Sequence, residues 1–240
     1  MALEILILAA GLGKRMRSDL PKVLHPLAGR PLLGHVIDAA RELAPRKIIV
    51  VLGHGAEQIK KTFPERDLEW VLQAQQLGTA HAVMQAMPRV SQDADVLILY
   101  GDVPLVRPAT LKRLHEAARG GMSLLTAEPA DPAAYGRIVR DAAGRVAKIV
   151  EQRDASPAER AIREINAGFY ALDARRLTGW LERIDNRNAQ KEYYLTDLVA
   201  LAVADGVPVV AVKTDDALEV AGVNSPEELA QLEKHFGKAA

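Results

Sequence analysis

An apolar run, residues 3–10, passes directly into Gly11-Leu12-Gly13-Lys14-Arg15-Met16. A strand that ends in a glycine-rich, basic turn is a place to hold phosphates. Gly11 and Gly13 can take φ > 0 and bring bare N–H groups close to an anion. Lys14 and Arg15 carry positive charge to the same spot, and Lys22 follows one short loop later in Leu20-Pro21-Lys22-Val23-Leu24. Two other phosphate loops are excluded. A Walker A loop needs Ser or Thr after its lysine, and Lys14 is followed by Arg15. A dinucleotide fingerprint needs a third glycine where Met16 stands, and that side chain would crowd the helix–strand packing the glycine permits.

Further polar groups sit where strands end. Asp102, in Tyr100-Gly101-Asp102-Val103-Pro104, follows a buried run and opens beside the phosphate loop. Mg²⁺ takes one or two carboxylate or carbonyl oxygens from protein and the rest from phosphates and water, so Asp102 is a candidate ligand. Taken alone, an Asp at that place also reads as a turn residue. Asn224 lies between a strand end and the capped start Ser225-Pro226-Glu227-Glu228, where a turn or cap role is equally open. Gln73 and Gln76-Leu77-Gly78-Thr79-Ala80 offer amides suited to a base edge and a helix start suited to a phosphate or base. Gly136, Glu151 and Asn166, with Tyr135-Gly136-Arg137 and Asn166-Ala167-Gly168, group as a sugar pocket. One hydroxyl of Tyr193-Tyr194 can face that sugar. The six histidines show no metal spacing such as His-Glu-x-x-His, although His25, His54 and His81 fall near the candidate site.

These residues need a scaffold that brings strand ends together. Residues 4–10, 47–52, 70–72 and 95–100 read as strands, and residues 31–43, 56–62, 79–87 and 108–118 as helices. The strands at 48–52 and 96–99 are apolar without alternation, so they are buried on both faces and parallel. The fold class is α/β, a doubly wound, mostly parallel sheet. Later strands at 122–127, 136–140, 146–151 and 166–172 have few helices between them and form a mixed or antiparallel lobe. Asp141-Ala142-Ala143-Gly144 makes a hairpin turn within it. Helices at 174–184 and 195–204, strands at 209–213 and 218–220, and a final helix from 225 to near 236 complete the chain. The expected division is a nucleotidyltransferase domain over 1–224 and a C-terminal helix over 225–240. Within the domain, about 1–107 would bind nucleotide and about 108–224 would form the sugar lobe.

Composition narrows the partners. The chain has 240 residues with 31 basic and 31 acidic, so a basic nucleic-acid face would have to be local. Aromatics are only 4%, a poor supply for base stacking on single strands. No apolar run approaches the ~18 residues of a membrane span. Glu4 interrupts the first apolar run, which argues against a signal peptide. The absence of cysteine excludes thiolate nucleophiles and disulfides and fits a cytoplasmic protein.

Taken in order, these motifs resemble the nucleotide-sugar pyrophosphorylases. The detailed match is to the uridylyltransferase half of bacterial bifunctional uridylyltransferase/acetyltransferases that act on N-acetylglucosamine 1-phosphate. The resemblance is carried by Leu8-Ala9-Ala10-Gly11-Leu12-Gly13-Lys14-Arg15-Met16, Leu20-Pro21-Lys22-Val23-Leu24-His25, Gln75-Gln76-Leu77-Gly78-Thr79, Leu99-Tyr100-Gly101-Asp102-Val103-Pro104, Tyr135-Gly136-Arg137, Glu164-Ile165-Asn166 and Glu192-Tyr193-Tyr194-Leu195-Thr196-Asp197. It implies that Leu8, Ala9, Ala10, Gly11 and Gly13 hold UTP with Lys22. Gln73, Gly78 and Thr79 would read uracil. Tyr100, Gly101, Gly136, Glu151, Asn166 and Tyr194 would hold the sugar. Asp102 and Asn224 would bind Mg²⁺, with Arg15 and Lys22 as the catalytic cations. The alternatives are the same chemistry on another sugar 1-phosphate or nucleotide, and a non-catalytic nucleotide-sugar-binding module.

Four departures from the family pattern stand out. Ala80, Ala134 and Lys191 occupy positions where the family usually has glycine, and Ala167 replaces a threonine. Wherever those glycines need φ > 0, a side chain strains the turn. The left-handed β-helix of the family's acetyltransferase half has no counterpart in the 240 residues, so UDP-sugar synthesis without acetyl transfer, and a monomer or weak dimer, are the expectations.

Overall fold

The computed structural model describes residues 1–132 and 135–236. In chain order the elements begin with β1 (Ala2–Ala9), a two-residue hairpin β2 (Pro26–Leu27) and β3 (Arg30–Pro31), and α1 (Leu32–Arg41). Next come β4 (Lys47–Leu52), α2 (Ala56–Thr62), β5 (Leu68–Leu72), α3 (Thr79–Ala86), β6 (Ala94–Tyr100) and α4 (Pro108–Ala117). The second half has β7 (Met122–Ala127), β8 (Arg137–Arg140), β9 (Val146–Val150), α5 (Pro157–Arg160), β10 (Ile165–Asp173), α6 (Ala174–Leu181), α7 (Asp197–Ala204), β11 (Val209–Lys213) and α8 (Pro226–Phe236).

The main sheet runs β11-β7-β10-β6-β1-β4-β5, with β8 and β9 added beside β10. Strands β6, β1, β4 and β5 are parallel, and β10 is antiparallel to both β6 and β7. The expected antiparallel lobe is therefore a continuation of one α/β sheet, entered through β10. Successive residues of each central strand face opposite sides, and both sides are apolar. Ile5, Ile7, Val50, Leu97 and Leu99 pack on one face under α1, α2 and α4. Leu6, Leu8, Val51, Val96 and Ile98 pack on the other under α3, α6 and α7. A run with no polar alternation is what two such cores require.

Two local readings need correction. Residues 218–220 are not a strand but part of a 3₁₀ turn, Ala217–Val220. Asp216 caps it by accepting from the Leu218 N–H, and the buried Glu219 carboxylate accepts from Arg107 N at 2.9 Å and Thr214 Oγ1 at 2.8 Å. A carboxylate tied on two sides curls the chain instead of extending it. Between β9 and β10 the chain also forms the short helix α5, where Ser156 and Glu159 make a full capping box at its start.

Glu4 lies wholly buried in the central strand β1. Arg46 reaches its carboxylate at 2.8–3.0 Å, and Ser91 donates from both N (2.9 Å) and Oγ (2.8 Å). Burial pushes this carboxyl up, but the hydrogen bonds from Ser91 and Arg46 outweigh it and hold it below its ordinary value. The stabilisation is thus present above the unfolded-state pKa and is lost as pH falls through the lower folded one. Glu4→Gln is expected to cost about 1–3 kcal/mol in urea unfolding at pH 7, and the difference from the native protein should shrink below about pH 4.

Candidate functional site

The parallel strands β1, β4, β5 and β6 end side by side, and ligands of such sheets bind at that edge. A cavity of about 250 Å³ opens there. Leu8, Ala9, Ala10 and Gly11 bring the end of β1 to its wall, Tyr100 and Asp102 the end of β6, and Gln73 and Gln76 the segment after β5. Lys22, Gly78 and Thr79 complete the expected members. Gly101 lies beside them, its N–H donating to Leu8 O at 2.9 Å, which joins the turn after β6 to β1. Gly13 is off the wall, in the left-handed region at φ 61°, and a Cβ there would fall 2.8 Å from Lys22 Cβ. Glycine therefore lets the basic loop lie directly against the Lys22 turn.

Lys22 is the centre of the site. Its ammonium pairs with Asp102 Oδ2 and donates to Asn224 Oδ1 at 3.0 Å. Val223 N donates to Asp102 O at 2.9 Å, fixing the two oxygen-bearing segments together. The cap of α8 holds Asn224 from the other side: Glu228 Oε2 accepts from Asn224 N at 2.6 Å. A carboxylate and an amide oxygen thus converge on one cation. That donor set fits a hard divalent ion, which takes few protein oxygens and fills its remaining positions with phosphate and water. Among the described residues no group of three or more His, Asp or Glu could hold a metal elsewhere.

The Gln73 side is held by the second half of the chain. Tyr193 N donates to Leu77 O at 2.8 Å and Ala80 N to Tyr193 O at 2.9 Å, while Leu195 N donates to Thr79 Oγ1 at 3.0 Å. Gly78, at φ 116°, lies so close that a Cβ would sit 2.4 Å from Tyr193 O. Through this zipper Glu192 joins the cavity wall. Glu192, Val23 and Ala82 are wall residues that sequence reasoning did not single out. Glu192 heads one of the runs that carry the resemblance, but nothing local placed it at the cavity, because the backbone pairing that delivers it spans more than a hundred residues.

Gly136, Glu151 and Asn166 come together behind Tyr100. Asn166 N donates to Gly136 O at 2.9 Å, and a Cβ on Gly136 would lie 3.7 Å from the Glu151 carboxyl carbon. Asn166 Oδ1 accepts from Gly168 N at 3.0 Å, and its Nδ2 donates to Tyr170 at 2.7 Å. Tyr100 bridges the two groups: its ring abuts Gly168, and its hydroxyl bonds to Thr79. Gly136, Glu151, Asn166 and Asn224 are not themselves on the cavity wall, and two further expected members stand away from these groups. Tyr194 is not on the cavity wall; its hydroxyl donates to Asp154 at 3.2 Å and accepts from Gln190 at 3.0 Å. Arg15 is exposed on its loop and does not reach the wall.

Carboxylates crowd this side. Burial raises Glu151, and Asp197, Asp154 and Glu192 add to it, while Thr196 Oγ1 donates at 3.1 Å and opposes the rise. Asp197 is pushed up to about 6, first by burial and then by Asp185 and Asp154. The four departures divide. Lys191 does sit in the left-handed region at φ 55°. Ala80 is a buried residue of α3 with no such strain, and Ala167 has none either. Ala134 lies outside the described residues.

Residues 5–168 match the model of the MobA-like NTP transferase domain. The chain belongs to that family and is a nucleotidyltransferase. Over 232 residues it is 56% identical to the bifunctional protein GlmU of Dechloromonas aromatica, covering 97% of this chain and 51% of that one. Over 237 residues it is 57% identical to the same-named protein of Pseudomonas aeruginosa strain LESB58, covering 98% and 52%. The chain spans about half the length of these relatives. Its fold is shared with UDP-glucose pyrophosphorylase in complex with UDP-glucose (TM-score 0.82, 18% identity, all of both chains). A nucleotidyl transferase from Methanothermobacter also shares it (TM-score 0.69, 21% identity, 100% of this chain and 99% of that one). Among the described residues no helix is long and apolar enough to cross a membrane.

Two stability measurements follow. Lys191→Gly removes a side chain from a left-handed position and is expected to raise the unfolding free energy by about 1 kcal/mol. Asp197 has a raised folded pKa, so its contribution is favourable at low pH and is lost as pH rises through about 6. Asp197→Asn should therefore unfold at higher urea than the native protein at pH 8, with the gap closing by pH 4.

Proposed function

We propose that this chain transfers a uridylyl group from UTP to N-acetylglucosamine 1-phosphate, releasing pyrophosphate. The observation that carries this is the convergence of Asp102 and Asn224 on a cation, Lys22 Nζ, at a cavity rimmed by the glycine loop and Gln73. The bifunctional GlmU proteins, about half of whose length this chain matches at 56–57% identity, support the reading.

The nucleophile is a phosphate oxygen of the sugar phosphate. It attacks the α-phosphorus of UTP, and the bond from that phosphorus to the oxygen bridging the β-phosphate breaks. Such a phosphate has its second pKa near ~6, so it is largely dianionic at pH 7 and needs no general base. The protein must instead neutralise and align crowded phosphates. Residues 8–11 line the nucleotide phosphates with backbone and Lys22 brings positive charge, while Gly13 and Arg15, off the wall on the same loop, would act on the phosphates once the nucleotide is bound. Gln73, Gly78 and Thr79 take the uracil. Tyr100, Gly101, Gly136, Glu151 and Asn166 take the N-acetylglucosamine, with Tyr194 supporting them from behind through Asp154. Asp102 and Asn224 would hold Mg²⁺, which would supply Lewis-acid neutralisation of phosphate charge. In this reading nucleotide binding belongs to about 1–107 and sugar binding to about 108–224.

A pyrophosphate-release assay with UTP, Mg²⁺ and N-acetylglucosamine 1-phosphate tests the proposal against a panel of other nucleotides and sugar phosphates. UDP-N-acetylglucosamine should form fastest; no release, or a clear preference for another pair, overturns it. Asp102→Ala should lose at least several kcal/mol of transition-state stabilisation, with an unchanged circular dichroism spectrum. Lys22→Ala should lose about 2–4 kcal/mol, read mainly in kcat. Retention of near-native rates in either variant would remove that residue from its role.

A further inference from the structure

The Gln73 amide is almost completely buried, and its polarity is set by its neighbours. Its Nε2 donates to Gly78 O at 3.1 Å and lies 3.0 Å from His81 Nδ1. A carbonyl oxygen can only accept, so the nitrogen end of the amide belongs at Gly78. The second amide hydrogen then points at His81 Nδ1, which must be bare to accept it. The ring proton is therefore on Nε2. Gln85, 3.3 Å from that nitrogen, must turn its oxygen there, since two N–H groups cannot bond to each other.

With both N–H groups spent inside the protein, only Oε1 is left to meet a ligand. Among the described residues nothing donates to it, yet it is not one of the sealed polar atoms without a partner. Gln73 lines the cavity; His81 does not. Gly78 O alone is a weak anchor for this orientation, because it also accepts from Ala82 N at 3.2 Å. His81 supplies the second point that prevents the amide from turning over.

We infer that His81 is a positioning residue for base choice, holding Gln73 with its oxygen outward so that the site takes a pyrimidine with a ring N–H and refuses one without. The inference rests on the nucleotide-binding reading above. Uracil offers N3–H to an acceptor. Cytosine presents a bare N3, which would set two lone pairs against each other and leave Oε1 unpaired, and sites built to make a hydrogen bond reject such analogues strongly.

The unaltered protein gives the first test. Nitrogen–proton correlation spectra of the His81 ring should show Nε2 protonated and Nδ1 bare; the opposite tautomer overturns the inference. Initial rates with UTP and CTP give the second. His81→Phe keeps ring bulk but has no acceptor. Its UTP-to-CTP ratio in kcat/KM should fall by about tenfold, the worth of one well-placed hydrogen bond. The change should sit in the nucleotide KM, with kcat and the sugar-phosphate KM within about twofold. His81→Asn, whose Oδ1 can replace Nδ1, should recover most of the ratio. An unchanged ratio in His81→Phe, or an equal loss in both variants, overturns the assignment. If the native protein transfers no uridylyl group at all, the proposed function fails instead, and calorimetric binding of UTP against CTP to the three proteins still decides the role of His81.

Discussion

One ammonium group ties the site together. Lys22 Nζ reaches Asp102 at the end of β6 and Asn224 before α8, residues 80 and 202 positions away along the chain. Neither oxygen has reason to face the other without a cation between them. The parallel order of β4, β1 and β6 makes the meeting possible, because it lands three strand ends on one edge. Everything else around the cavity is arranged against that edge: the glycine loop lies on the Lys22 turn, the α8 cap grips Asn224, and Val223 is pinned to Asp102.

The second constraint is the backbone zipper between residues 77–80 and 193–195. It brings the far end of the chain to the segment after β5. Its close approach needs a residue without a Cβ at Gly78. Two of its three hydrogen bonds run from main chain to main chain, and the third is accepted by the Thr79 hydroxyl. Ala80 is compatible with this contact since it donates its own N–H to Tyr193 and occupies a helical position where alanine is favourable. The departure at Lys191 differs in kind: it places a long side chain in a backbone conformation that suits glycine.

The burial that builds the sugar-side cluster also charges it unevenly. Glu151 and Asp197 are raised because desolvation and neighbouring carboxylates both disfavour ionisation. Glu4, wholly buried near the start of β1, goes the opposite way because Ser91 and Arg46 supply donors. The partners, not depth alone, decide the sign.

Much of this was legible in the chain itself. Short, β-branched apolar runs without alternation read as strands buried on both faces, so the parallel core and its helices follow from composition and spacing. Strand-end glycines and Asp102 are each ordinary turn residues, and it is their company with Lys14, Arg15 and Lys22 that points to a phosphate site. What the tertiary structure decided are contacts between residues distant in sequence. Glu192 reached the cavity wall through backbone pairing, which no side-chain pattern encodes. Tyr194 turned toward Asp154, and residues 217–220 curled around the buried Glu219, because partners brought in by the fold offered better hydrogen bonds than the local pattern did. The outward oxygen of Gln73 likewise depends on a carbonyl and an imidazole placed around it. Local sequence sets which groups a chain carries, and only packing sets which atom of each group is left free.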